Sequence, residues 1–104
     1  MDRGNTYVFQ LDNASLATHP LRISATENGT HNSGVDYTEG ITVSGTQGQS
    51  GAKLTFGVPA DAPGNLYYYC SNHSGMGSRI FCSGTIVNTM PSIVLRVLRM
   101  FSLR

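Results

Sequence analysis

The chain is short of the residues on which several protein classes depend. It has two cysteines and no tryptophan in 104 residues, too few thiols for the disulfide framework of small secreted domains. Only 12% of its residues are charged and 9% aromatic, with a formal net charge of +1. It therefore lacks the basic, aromatic-studded surface of a nucleic-acid binder, and no nucleic-acid partner is expected. No apolar run reaches the roughly 20 residues of a membrane-spanning helix. The opening Met1-Asp2-Arg3-Gly4-Asn5 leads into polar and apolar alternation instead of the apolar stretch of a signal peptide, so none is read here. A Gly-x-Ser-x-Gly elbow and paired carboxylates at a strand end are also missing, which leaves hydrolytic chemistry without its groups; the chain is not expected to be an enzyme.

What is present fits one small domain, large enough to fold around its own core. Residues 1–90 carry a net charge of −2, and residues 91–104 carry three arginines and no acid. The reading divides the chain into a body over 1–88 and a basic, apolar C-terminal tail over 89–104. The tail's apolar residues point nearly all round a helix, so it is expected to be disordered or a poorly packed helix, with an amphipathic segment on a membrane surface as the alternative.

The dominant hydrophobic period in the body is two, the strand signal. Tyr7, Phe9 and Leu11 alternate with polar neighbours in Thr6 to Leu11, apart from Val8. Leu21, Ile23 and Ala25 are expected inward, with Arg22 and Ser24 outward. Ala52, Leu54, Phe56 and Val58 give the cleanest alternation, against Lys53, Thr55 and Gly57. Ile41 to Val43, Asn65 to Cys70 and Arg79 to Val87 complete about six short strands. Turn clusters rich in Gly, Asn and Ser separate them. The expected fold is all-β, an antiparallel sandwich or barrel.

One stretch carries chemistry: Tyr67-Tyr68-Tyr69-Cys70-Ser71-Asn72-His73-Ser74-Gly75-Met76-Gly77. It sets a thiol, an imidazole and a thioether in Cys-x2-His-x2-Met spacing at a strand end and in the following turn. A second imidazole, His19, stands just before the strand that starts at Leu21. A thiolate, two imidazoles and a weak thioether are the ligand types of a mononuclear blue-copper site. Gly75 and Gly77 allow the positive φ angles that a tight curl needs.

On these residues the chain resembles the cupredoxins, the blue-copper family of plastocyanin, azurin and amicyanin. Gly4-Asn5-Thr6-Tyr7-Val8-Phe9 is similar to the family's Gly-x-Thr-x-x-Phe strand, His19 to its upstream histidine, and Tyr69 to Met76 to its ligand loop, at the short amicyanin spacing. The likeness spans about residues 3–87. It implies a Greek-key cupredoxin sandwich lacking the family's first strand. It also implies copper held by His19, Cys70 and His73 with Met76 axial, cycling between Cu(II) and Cu(I), and single-electron transfer through the exposed edge of His73 to a redox protein. A monomer working in the periplasm or outside the cell goes with it. The chain departs from the family at Pro20, where a polar residue commonly ties the two ligand loops together, and in its tail. Three histidines in all and a single cysteine in the ligand loop disfavour multicopper and binuclear centres.

Plainer readings stand beside these. Cys70 is otherwise a buried small hydrophobe or half of a disulfide with Cys82, which is assigned to the core beside Ile80 and Ile86. His73 is otherwise a loop residue, and Met76 a gap filler. His31, in a Gly- and Asn-rich loop, competes with His19 but is read as a surface residue. Tyr67 to Tyr69 are read as sheet residues, and the sequons at Asn13, Asn28 and Asn72 as weak signals. Two further functions compete with the electron carrier: a copper storage or delivery module, and a metal-free interaction domain cut from a larger or viral surface protein.

Overall fold

The computed structural model describes residues 1–84 and 93–97. Among these residues, seven strands form two open sheets, in the orders β3-β4-β1-β7 and β2-β5-β6. The strands are β1 (Thr6–Gln10), β2 (Leu21–Ser24), β3 (Ile41–Ser44), β4 (Lys53–Gly57), β5 (Asn65–Cys70), β6 (Gly77–Phe81) and β7 (Ile93–Arg96). Two single turns of 3-10 helix, Ala14–Ala17 and Gly29–Asn32, interrupt the connections on either side of β2. The all-β sandwich expected from the alternation is the architecture observed. Among the described residues the strands close no barrel.

The period-two segments behave as their side chains dictate. In β1, Tyr7 and Phe9 are buried between half-buried neighbours, and in β4 the buried Leu54 and Phe56 alternate with exposed Lys53 and half-buried Thr55 and Gly57. Antiparallel pairing in the register Phe9↔Leu54 and Tyr7↔Phe56 puts these groups on one face. Burying a side chain of this size contributes about 1.5–3 kcal/mol. The second sheet meets them with Leu21, Ile23, Leu66 and Ile80, all buried in the same core cluster.

Four details differ from the sequence reading. Ser24, expected outward, is fully buried and Ala25 is exposed. The strand ends at Ser24, whose hydroxyl donates to Val35 O at 2.7 Å and accepts from Thr26 N at 3.0 Å, so the chain turns before Ala25 could point inward. The expected strand from Arg79 to Val87 instead begins at Gly77 and ends at Phe81. There the chain bends so that Cys82 N–H donates to Gly64 O at 2.9 Å; Cys82 and Ile80 are both buried as expected, while Ile86 lies outside the described residues.

The third and fourth differences lie in the stretch assigned to the tail. Ile93–Arg96 is neither disordered nor helical: it pairs with β1 as a parallel edge strand, Phe9 opposite Leu95. Val97 follows at 1% exposure in the core. The ladder is thus not antiparallel throughout. A run as short and uniformly apolar as Ile93-Val94-Leu95 has no readable period, so strand and helix cannot be told apart until a sheet edge is available to pair with. The rest of the tail lies outside the described residues, among which no helix is long and apolar enough to cross a membrane.

Candidate metal centre

Three donors from two distant parts of the chain converge at one end of the sandwich. Cys70 is the last residue of β5 and fully buried. It lies opposite Leu21, the first residue of β2, so the residues before Leu21 run alongside those after Cys70. Two cross-links extend that ladder: Ser71 N–H donates to Pro20 O at 3.1 Å, and Asn72 Nδ2 to Thr18 O at 3.1 Å. His19 is thereby held beside the loop that follows Cys70.

The segment leading to His19 is fixed at both ends. Asn13 caps the turn Ala14–Ala17 by accepting from Ser15 N at 3.0 Å, and Leu16 anchors it in the core. Gln47 acts as a surrogate strand beside β2, accepting from Leu21 N at 2.6 Å and donating to Leu21 O at 2.9 Å. On the other side, Cys70 N–H donates to Met76 O at 2.8 Å and closes the loop over residues 71–76. Gly77 permits that closure, because its φ is +154° and a Cβ there would stand 2.1 Å from Tyr68 O.

The donor atoms form a compact triangle. His19 Nδ1 and His73 Nδ1 are 3.1 Å apart, and Cys70 Sγ lies 3.5 Å from His73 Nδ1 and 3.8 Å from His19 Nδ1. Metal bonds of about 2.0 Å to imidazole nitrogen and about 2.3 Å to thiolate set N···N edges near about 3.3 Å and N···S edges near about 3.5 Å at a tetrahedral angle. The triangle is of that size, so these residues fit one metal ion with little displacement. The set is buried at Cys70, intermediate at His19 and exposed at His73. Thiolate plus imidazole selects copper or zinc over hard, oxygen-seeking cations. Segments 13–21 and 62–78, which build the site, carry no charged side chain.

The sequence-derived site residues are therefore placed as follows. His19, Cys70 and His73 come together as a group able to hold a metal ion. Met76 is in the same loop, partly buried against the core, and reaches Cys70 through its backbone carbonyl. The disulfide alternative is not realised, since Cys70 and Cys82 are both free and buried. Burial pushes the Cys82 thiol up from its ordinary pKa, a shift partly offset by the nearby positive charges of Arg3 and the N-terminal amine.

His31 is exposed, as expected of a surface residue, but it is not idle. Its Nε2 donates to the carbonyl of Cys70 at 2.8 Å, and its ring stands edge-on to Tyr69 at 6.0 Å. The sequence reading missed Asn28 as well. The Asn28 amide donates from Nδ2 to Ser74 Oγ at 2.8 Å and accepts at Oδ1 from Gly75 N–H at 2.9 Å. Its legible signals are an Asn-Gly pair, which marks a turn, and a weak sequon, and neither says what the side chain reaches. Tyr69, on the sheet face opposite Cys70, is fully buried, with its hydroxyl donating to the Asp36 carboxylate.

No protein-family model, curated protein or solved structure matches the chain.

Proposed function

We propose that this chain is a mononuclear type 1 copper protein of the cupredoxin kind, and that it carries single electrons. The observation that carries the reading is the convergence of His19 Nδ1, Cys70 Sγ and His73 Nδ1 within 4.8 Å of one another. Those three atoms would hold the metal, with the Met76 thioether as the expected weak further donor. Bound there, copper supplies a Cu(II)/Cu(I) couple that thiolate and imidazole ligands serve in both oxidation states.

The chain's own residues do the remaining work. Burial of Cys70 keeps water from the thiolate. The β2–β5 ladder and the Cys70–Met76 backbone bond resist rearrangement of the loop, which favours a carrier whose ligands stay in place as its charge changes. The exposed ring of His73 offers the edge through which an electron passes to a redox protein. A monomer working in the periplasm or outside the cell completes the reading, which assigns no substrate turnover.

Titration of the reduced apo-protein with Cu(II), followed by visible absorption and electron paramagnetic resonance, tests it. An intense thiolate-to-copper band saturating at one equivalent, with narrow hyperfine splitting, is expected. Absence of that band overturns the copper reading. Stoichiometric copper with no rapid electron exchange with a small redox protein overturns the carrier role and leaves a storage or delivery module.

A further inference from the structure

The connection between β2 and β3 reaches the ligand loop at two points that bracket His73. Its turn Gly29–Asn32 is flanked by Asn28 and Ser33, both with φ near +63°. Asn28 holds Ser74 and Gly75 on the far side of His73, and His31 holds the Cys70 carbonyl on the near side. The turn can lie this close because residue 29 is glycine: a Cβ there would stand 2.3 Å from the ring of Tyr69. Among the described residues no other hydrogen bond restrains Ser74 or Gly75, and Gly75 has a φ of +81°. The Asn28 amide is therefore the hydrogen-bonded restraint on Ser74 and Gly75 themselves, inside a loop whose ends are closed by the Cys70–Met76 backbone bond.

We propose that Asn28 and His31 are positioning residues of the metal centre, Asn28 by fixing the loop between His73 and Met76 and His31 by orienting and polarising the Cys70 peptide. This inference rests on the metal-binding reading above. Partners outside the ligand set typically alter metal affinity 10–100-fold when removed. A donor on the Cys70 carbonyl draws electron density from the cysteine and favours the more electron-rich reduced site, just as hydrogen bonding around the cysteine sulfur tunes blue-copper potentials.

Two substitutions separate positioning from folding. Asn28→Gly keeps a residue that accepts φ near +63° and removes only the amide. His31→Phe removes the donor, and His31→Gln restores an N–H that can reach the carbonyl. In the metal-free protein, amide exchange at Gly75 is expected to rise at least tenfold in Asn28→Gly. Affinity for Co(II), a probe with no redox step under these conditions, is expected to fall by about 10–100-fold. In the copper protein, His31→Phe is expected to shift the Cu(I)/Cu(II) balance about tenfold toward Cu(II), a fall of about 59 mV for one electron, with His31→Gln recovering most of it. Wild-type exchange, affinity and potential in these variants overturn the proposal. If the wild-type protein binds neither Co(II) nor copper, the metal reading itself fails. Exchange at Gly75 then judges the clamp alone: faster exchange in Asn28→Gly supports it, and unchanged exchange overturns it.

Discussion

Leu21 and Cys70 face each other as the end pair of the β2–β5 ladder, and this one pairing determines where the candidate metal centre lies. Because the strands are antiparallel, the chain leaving β5 and the chain entering β2 continue side by side past the pair. His19 and His73 therefore meet at 3.1 Å although 54 residues separate them in sequence. A register slip of one residue would turn the Cys70 side chain to the opposite face and dissolve the triangle.

Loss of any of the three donors is expected to weaken metal binding more than loss of a supporting residue does. Cys70→Ser should abolish the thiolate-to-copper band while leaving far-ultraviolet circular dichroism unchanged. His19→Ala and His73→Ala should each lower Cu(II) affinity by more than about 100-fold, beyond the range typical of outer partners. Competition titration against a chelator of known strength measures both. A Cys70→Ser protein that kept the band would remove Cys70 from the site.

Metal binding should stabilise the fold, because the donors converge only in the folded chain. At a free metal concentration of about 1,000 times Kd the gain is about 4 kcal/mol. For a domain of this size each kcal/mol moves Tm by about 4–8 °C. Calorimetry with and without one equivalent of copper should therefore show a rise in Tm that excess chelator reverses. Equal melting temperatures would mean that the donors are not assembled.

Alkaline pH should destabilise the protein through Cys82. Burial raises its thiol pKa in the folded state, so above the unfolded value, about 8.5, the unfolded chain loses a proton that the folded chain keeps. The stabilising contribution is complete below that pH and is lost as pH rises through the folded value. Urea midpoints for wild type and Cys82→Ala should diverge from about pH 8.5 upward, with the wild type falling faster. Tyr37 is also raised, chiefly by burial and next by the Glu39 carboxylate, with Cys82 the last of its causes, so most of its contribution is common to both proteins and the part owed to Cys82 goes in the same direction.

Gly29→Ala should be costly although the position lies in a connection. Its φ is +51°, and the added methyl would fall 2.3 Å from the buried Tyr69 ring. Overpacking of this kind typically costs about 1–3 kcal/mol, and the left-handed backbone adds about 1 kcal/mol more. Urea unfolding measures the loss. A neutral result would show that close packing of the turn on the Tyr69 ring does not limit residue 29.

Some of this could be read directly from the order of residues. The alternation in β1 and β4 marks the inward groups Phe9, Leu54 and Phe56 because side chains on a strand point to opposite faces in turn. The Cys-x2-His-x2-Met spacing places Cys70 and His73 within one loop, so their proximity is local and needs no knowledge of the rest of the molecule. Asn28, His31 and Gln47 carry no such mark, since each acts on backbone or side-chain groups 26 to 47 residues away. Tyr69 reads as one of three similar sheet residues, and its full burial follows from the turn Gly29–Asn32 covering the outer face of β5.

The sequence by itself determined that the body is built of short strands, the inward faces of β1 and β4, and the chemical types of the donors, because those depend on side-chain identity and on the period of the extended chain. The tertiary structure decided the rest: that His19 joins Cys70 and His73, that Ile93–Arg96 becomes the parallel edge strand β7, and that a turn from another connection supports the ligand loop. Each of these depends on which strand pairs with which and in what register. Burial of apolar surface and completion of backbone hydrogen bonds settle that choice jointly over the whole domain, and no single segment encodes it.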